Sequence, residues 1–273
     1  SAASDVYKRQ LDFNADTPTS LLEASVIQWQ WKEDVFPECD QFNGIHEGLV
    51  QSWKDIFPKK GEIYFAGALE NNEDTGTLQY LASTAMEAGF STRVLDMQAL
   101  DLQNGRFFDP AGELVNRCFK LYPWEWMVDE SPDGCLAEME WLEPIWKLVM
   151  SNKAILATLY ELFPDSPYVL PCYLSRPRSG LFCKKPVFSR EGHNVSVVDI
   201  RNWEEHVRIA ETEGDYNTGA YVYQEYVEPT VYSGRYPVIG SWIIGGEAAG
   251  IGIRENRMEV TDNLSEFVPH IIG

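Results

Sequence analysis

Residues 62–68, EIYFAGA, form an apolar run of strand length. A polar stretch, a helical pattern and a second strand-like run, STRVLD at residues 91–96, follow it. The helix is predicted over residues 76–88, ending at Gly89. Strand, helix and strand in that order impose a parallel pair joined by a right-handed crossover, so an α/β fold is expected. Glu73 and Asp74 lie in the loop before the helix, at the carboxyl end of a strand, where open α/β sheets bind ligands. The helix dipole favours carboxylates at the same place, and the two explanations are compatible.

A second constraint is KPVFSREGHNV, residues 185–195. Residues 179–184 read as a turn feeding a strand and residues 195–200, VSVVDI, as the strand returning. A short glycine-containing loop can aim several N–H groups at one point, and beside a lysine and an arginine that point favours a polyanion. A basic hairpin with a solvated tip fits the same residues. Residues 143–163 carry helical patterns broken at Ser151-Asn152. If Ser151 caps the second helix, Lys153 lies in its first turn, where a cation is disfavoured by roughly 0.3–1 kcal/mol. A bound phosphate or a solvated surface lysine would each account for it. Residues 204–213 are expected to form an acidic amphipathic helix and residues 220–227 a strand. Gln224, Glu225, Tyr226 and Val227 run toward Pro229 like a hinge beside an adenine, or like any strand exit. Residues 236–244 and 248–254 read as a hairpin about Gly245-Gly246, with Arg254 closing its second strand.

The N-terminal decapeptide, SAASDVYKRQ, resembles translated sequencing-adapter sequence and is set apart from the fold. In the next ten residues, LDFNADTPTS, Asp12, Asn14 and Asp16 precede a helix marked by Leu21, Ala24, Ile27 and Trp31. Ser20 and Glu23 there have capping-box spacing. Hard oxygen ligands at a helix start suit Mg²⁺, and a plain Asx-turn uses the same residues. Glu125, flanked by Trp124 and Trp126 in FKLYPWEWM, suggests a cation pocket or a packed domain seam. The polar loop at residues 129–138 marks the expected domain boundary.

With 22 basic and 42 acidic residues the formal charge is −20, which argues against nucleic acid or an anionic membrane as the main partner. It suits a cationic substrate, and equally simple solubility. Five scattered cysteines without a C-x-x-C pair read as reduced thiols. No apolar run approaches the roughly 20 residues of a membrane span, and a cytoplasmic location is expected. Walker A, H-E-x-x-H and G-x-S-x-G motifs and internal repeats are absent from the sequence.

NADTPTSLLEA, FKLYPWEWM, EPIWKLVMSNKAIL, KPVFSREGHNV and GSWIIGGEAAGIGIREN together resemble the glutathionylspermidine synthetase family of the ATP-grasp superfamily, in particular its stand-alone bacterial members without an amidase domain. The resemblance runs from Leu11 to the C-terminus. It implies an ATP-grasp fold at residues 141–273 behind a partial, Rossmann-like pre-ATP-grasp domain at residues 11–140. It also implies an ATP- and Mg²⁺-dependent acid–amine ligase that works through an acyl phosphate. Carried over, Lys153 and Lys185 are the phosphate-contacting lysines, and Arg190 and Gly192 belong to the phosphate-covering loop. Gln224, Glu225, Tyr226 and Val227 lie beside adenine, and Asp12 (in place of a Glu) and Asn14 bind metal. Arg254 joins Arg190 as catalytic. Thr17 and Thr19 lie near a glutathione-like acid, while Glu73 and Asp74, with Glu125, receive an amine or polyamine. A catalytically incomplete nucleotide- or polyamine-binding module is the alternative, because the family's Arg-x-Asp pair does not precede Asp12. Substrate identities stay open, as does oligomeric state, for which a homodimer is compatible.

Overall fold

The computed structural model describes residues 9–216, 219–260 and 265–273. Of the adapter-like segment, residues 1–8 lie outside the described residues. The chain divides into two compact units, one comprising Ala15–Leu148, Ile239–Ile253 and Phe267–Gly273, the other Ser1–Asn14, Val149–Val238 and Arg254–Glu266.

In the first unit a π-helical turn, Glu23–Ile27, continues into α1 (Gln28–Val35), and α2 (Ile45–Ile56) follows. The expected strand–helix–strand unit is present as β1 (Glu62–Gly67), α3 (Asn72–Glu87) and β2 (Ser91–Asp96). The helix starts earlier than the sequence suggested. Asn71 accepts a hydrogen bond from the Glu73 amide through its side chain, which caps the helix and draws Glu73 and Asp74 out of the loop into the first turn. A small sheet of β3 (Asp101–Gln103), β4 (Arg106–Phe108) and β5 (Leu114–Val115) precedes β6 (Arg117–Leu121). Then come α4 (Trp124–Glu130), α5 (Pro132–Cys135) and β7 (Glu140–Leu142), so the stretch expected to be loop contains α5.

The main sheet of this unit has the order β2-β1-β6-β7, with every pair parallel. A parallel sheet needs both faces covered, which is why β1 is apolar at consecutive positions. Ile63 and Phe65 meet Trp53 and Phe57 of the α2 region and Leu78, Leu81 and Ala85 of α3. On the other face Tyr64 and Ala66 meet Trp124, Met127 and Trp141. Phe65 is fully buried, edge-on to Trp53 at 5.5 Å and stacked with Phe119 at 6.0 Å.

Two helix-start expectations fail for local reasons. Ser20 takes φ = 62°, in the left-handed region, where the extended backbone of a capping residue is lost. Further on, α6 (Lys147–Ser151) and α7 (Ala154–Leu162) are separated where predicted, but the side chain of Asn152, not Ser151, accepts from the first amide of α7 at 2.8 Å.

The second unit is built on β8 (Cys172–Tyr173), β9 (Gly180–Pro186), β10 (Ser196–Arg201), β11 (Glu204–Ile209) and β12 (Tyr221–Glu225). They form an antiparallel sheet in the order β11-β10-β9-β12-β8. The acidic helix expected at residues 204–213 is therefore wrong. Asn202 and Trp203 both take positive φ, 51° and 73°, which makes a two-residue hairpin whose twist matches paired strands. Glu205 then reaches across the sheet to Tyr223 (2.8 Å), Lys184 (3.0 Å) and Arg176 (2.8 Å). The glycine hairpin is as expected: β13 (Tyr236–Ile244) and β14 (Glu247–Asn256) turn at Gly245 and Gly246, φ 60° and 88°. They share a sheet with β15 (Glu266–Val268), and the residues of these strands are divided between the units.

Two outcomes follow for stability. Phe65→Ala empties space on a fully enclosed strand and should destabilise the chain by about 3–5 kcal/mol in urea unfolding. For Glu205, burial opposes ionisation, but hydrogen bonds from Tyr223 and Lys184 and the charges of Lys184 and Arg176 outweigh it and hold the carboxyl below the usual range. A folded-state pKa below the unfolded one stabilises above the unfolded value and is lost as pH falls through the folded value. Glu205→Gln should thus lower Tm at pH 7, with the gap from the parent closing below about pH 4.

Candidate functional site

In the sheet of the second unit, Lys185 stands opposite Val222, and Gln224 opposite Cys183 on one side and Cys172 on the other. Strand alternation therefore puts Lys185 and Gln224 on one face. Lys185 is 7% exposed. Its Nζ donates to Gln224 Oε1 at 2.8 Å and to the Leu11 carbonyl at 2.8 Å. Gln224 Nε2 donates to the Gln10 carbonyl at 2.9 Å, and Gln10 forms an isolated parallel bridge with Val169.

Lys153, 6% exposed, sits just ahead of α7, with its amide bonded to Val187 O at 2.8 Å. Its Nζ donates to Ser189 O at 2.7 Å and pairs with Asp12 at 3.0 Å. Two buried ammonium groups are thus held by three neutral oxygens and a single carboxylate. Burying cations costs free energy unless negative charge compensates, so this arrangement favours an incoming anion. The hydroxyls of Ser151 and Ser189, on either side of Lys153 in the sequence and in its loop contact, are buried and have no hydrogen-bond partner among the described residues.

The loop between β9 and β10 has three residues at positive φ, Glu191 (53°), Gly192 (72°) and Asn194 (54°), and carries Arg190 at its bend, where the His193 amide donates to Arg190 O. It is fastened from outside its own sequence. Thr212 Oγ1 donates to Gly192 O at 2.5 Å and accepts from the Val195 amide at 2.9 Å, and Asn194 Oδ1 accepts from the Tyr216 amide. Reading residues 204–213 as a helix concealed Thr212; the strand-like exit after Ile209 was the available signal.

In the hinge segment the amides of Glu225 and Tyr226 bond to Pro171 O (2.7 Å) and Leu181 O (3.0 Å). Tyr226 donates its phenol to Glu259 and lies under the Arg208 guanidinium at 5.4 Å. Burial and the neighbouring Glu259 push its hydroxyl well above the usual range. Val227 is exposed. Asn14 and Arg254 belong to the same unit, Arg254 bonding to Ser265 O at 3.5 Å.

Thr17, Thr19, Glu73, Asp74 and Glu125 fall in the other unit. Glu73 and Asp74 follow the carboxyl end of β1, and Glu125 follows that of its neighbour β6. Gly76, in the first turns of α3, lies so close to α1's approach that an added Cβ would stand 3.1 Å from Leu22. Thr17 is buried and Thr19 exposed. Asp16 is not a metal ligand: it is fully buried, and its two oxygens accept from Lys120 Nζ and the Trp124 amide. Its partner is 104 residues away, beyond the reach of local sequence reading.

The described residues contain no group of three or more His, Cys, Asp or Glu poised to hold a metal, and no helix long and apolar enough to cross a membrane. Mg²⁺ needs only one or two carboxylates when phosphate oxygens and water complete its shell; the Asp12 carboxylate is exposed and pairs with Lys153 at 3.0 Å.

One unit is built on a parallel sheet and the other on an antiparallel sheet that carries the loop between β9 and β10. A profile of the glutathionylspermidine synthase pre-ATP-grasp family matches residues 5–273, and the chain belongs to that family. It is 37% identical over 276 residues to a putative acid–amine ligase of Haemophilus influenzae, covering 96% of this chain and 70% of the relative. Identity is 27% to the trypanothione synthetase of Crithidia fasciculata (94% and 43% covered) and 25% to the bifunctional glutathionylspermidine synthetase/amidase of Escherichia coli (96% and 46%). The chain thus spans less than half the length of those two relatives. In fold it is similar to a glutathione synthetase-like effector of Globodera pallida, with a TM-score of 0.57 at 10% identity, covering 97% of this chain and 72% of that one. A putative γ-glutamylcysteine synthetase of Methylobacillus flagellatus gives 0.53 at 9%, covering 89% and 84%.

Because Thr212 holds the loop at two points, Thr212→Val should speed tryptic cleavage after Arg190 severalfold while leaving Tm close to the parent's. Unchanged cleavage would mean the loop is held by other contacts.

Proposed function

We propose that the chain is an ATP- and Mg²⁺-dependent acid–amine ligase, joining a peptide-like carboxylate to an amine or polyamine. The observation that carries this reading is the pair of buried lysines, Lys153 and Lys185, held by neutral oxygens and one carboxylate beside a fastened loop. The bound metal would supply charge neutralisation between phosphate oxygens, with Asp12 and Asn14 as its protein ligands. Lys153, Lys185 and Arg190 hold the phosphates, so that the substrate carboxylate attacks the terminal phosphorus without the repulsion of two anions, forming the acyl phosphate as the bond to the bridging oxygen breaks and ADP leaves. The neutral amine then attacks the acyl phosphate, the C–N bond forms, phosphate leaves and the amine proton passes to solvent. Glu73, Asp74 and Glu125, at the carboxyl ends of two adjacent strands, pair with the remote ammonium groups of a polyamine and orient its free end. Closure of the loop keeps water from the acyl phosphate. Glutathione and a polyamine are the substrates to try first, given the printed names of the relatives.

A nucleotide- or polyamine-binding module without ligase activity is the second reading. Phosphate release from ATP, measured with glutathione and with or without spermidine, separates the two, since the module gives binding in calorimetry without amine-dependent release. Lys185→Ala should lower release by about 100-fold or more. Glu73→Gln with Asp74→Asn should raise KM for the amine well above any change in KM for ATP; an unaltered amine KM would remove the acidic pair from the amine site.

A further inference from the structure

Lys120 belongs to none of the groups assigned above, yet it is one of the most enclosed charges in the chain. It stands on β6 with its side chain 0% exposed, and its Nζ lies 2.5 Å from Asp16 Oδ1, which is also 0% exposed. The same ammonium donates to Tyr122 O at 2.8 Å and lies 4.3 Å from the centre of the Trp124 ring. The second oxygen of Asp16 accepts the Trp124 amide at 2.7 Å, at the first residue of α4. Trp124 is itself fully buried, with its indole N–H on Glu143 O at 3.0 Å. All of these residues lie in one unit.

A buried ion pair of this kind is a poor device for stability, because apolar residues of similar volume do as well or better. What it does provide is a fixed point. The turn at residues 11–20 has neither helix nor strand of its own to hold it. Both oxygens of Asp16 are spent on the corner where β6 passes into α4. One carboxylate therefore locates two stretches: Asp16 is followed directly by Thr17, and the capped residue Trp124 is followed directly by Glu125.

We propose that Lys120 is a positioning residue, whose ion pair with Asp16 sets the register of the Thr17–Thr19 turn against the first turn of α4, and so shapes the pocket for the carboxylic-acid substrate. What the turn binds rests on the ligase reading; that the pair holds the turn does not. Displacing substrate-positioning groups by about 1 Å can cost up to about 100-fold in rate, so a tether of this stiffness has a catalytic consequence without touching the reacting atoms.

The test uses Lys120→Met, the charge-free double variant Asp16→Leu/Lys120→Met, and Asp16→Asn. Lys120→Met strands a buried carboxylate and should lower Tm markedly, whereas the double variant should recover most of that loss. In the double variant KM for glutathione should stay raised about tenfold or more while KM for ATP stays within about twofold of the parent. Amide hydrogen exchange at Thr17 and Thr19 should quicken while that of β1 does not. A folded double variant with parental glutathione KM and parental exchange in the turn overturns the proposal. Should the double variant not fold, Asp16→Asn, which keeps the shape and loses the charge, is judged by the same two readouts. A parent without glutathione-dependent phosphate release would sink the ligase reading, and exchange alone would then decide whether Lys120 holds the turn.

Discussion

The enclosure of β1 on both faces is the constraint from which the first unit follows. A strand with Ile63 and Phe65 on one side and Tyr64 and Ala66 on the other cannot be left at a surface, so α2 and α3 must cover one face and α4 with the β3–β5 sheet the other. Parallel pairing with β2 and β6 then points the carboxyl ends of neighbouring strands the same way. Acidic side chains that are far apart in sequence, Glu73 and Asp74 after β1 and Glu125 after β6, come to one end of one sheet for that reason.

The second unit rests on different physics. Its sheet is antiparallel and carries polar side chains on a face where Lys185 and Gln224 bond to each other. Its distinctive loop is not stiff by itself; Thr212 and Asn194 fasten it to a stretch about 20 residues downstream. The unit thus combines a sheet from which Lys185 projects with a loop anchored through Thr212 and Asn194.

The two strands of the strand–helix–strand core could be read from the sequence almost to the residue, because burial on both faces of β1 writes a continuous apolar run; the helix start was missed by four residues, where the Asn71 cap adds a turn. The glycine hairpin was equally plain, since Gly245 and Gly246 supply the positive φ that a two-residue turn requires. Residues 204–213 misled because charges spaced three and four apart imitate a solvated helix. What decides for strand is the unusual left-handed pair Asn202-Trp203 and the reach of Glu205 to Lys184, Arg176 and Tyr223, and none of this is local. The same holds for the site. Lys153, Lys185 and the loop glycine were singled out by resemblance, and the structure buries both lysines, whereas Asp16 looked like one more oxygen ligand until Lys120, distant in sequence, claimed it. Ser20 and Ser151 show the weaker side of capping rules: spacing suggested the first and a break in the helical pattern the second, and a left-handed backbone in one case and a competing Asn152 in the other overrode it.

The neutral company kept by Lys185 has a consequence in terms of fields and salt. Carbonyl and amide oxygens satisfy its hydrogen bonds without cancelling its charge, so a local positive potential persists within a chain whose formal charge is −20. A polyanion approaching from a distance meets repulsion first and attraction only at close range. Dissolved ions screen charges more than about 8–10 Å apart far more than they screen a buried contact. Moderate salt therefore weakens the distant repulsion of an anion more than it weakens a contact made at Lys185 itself.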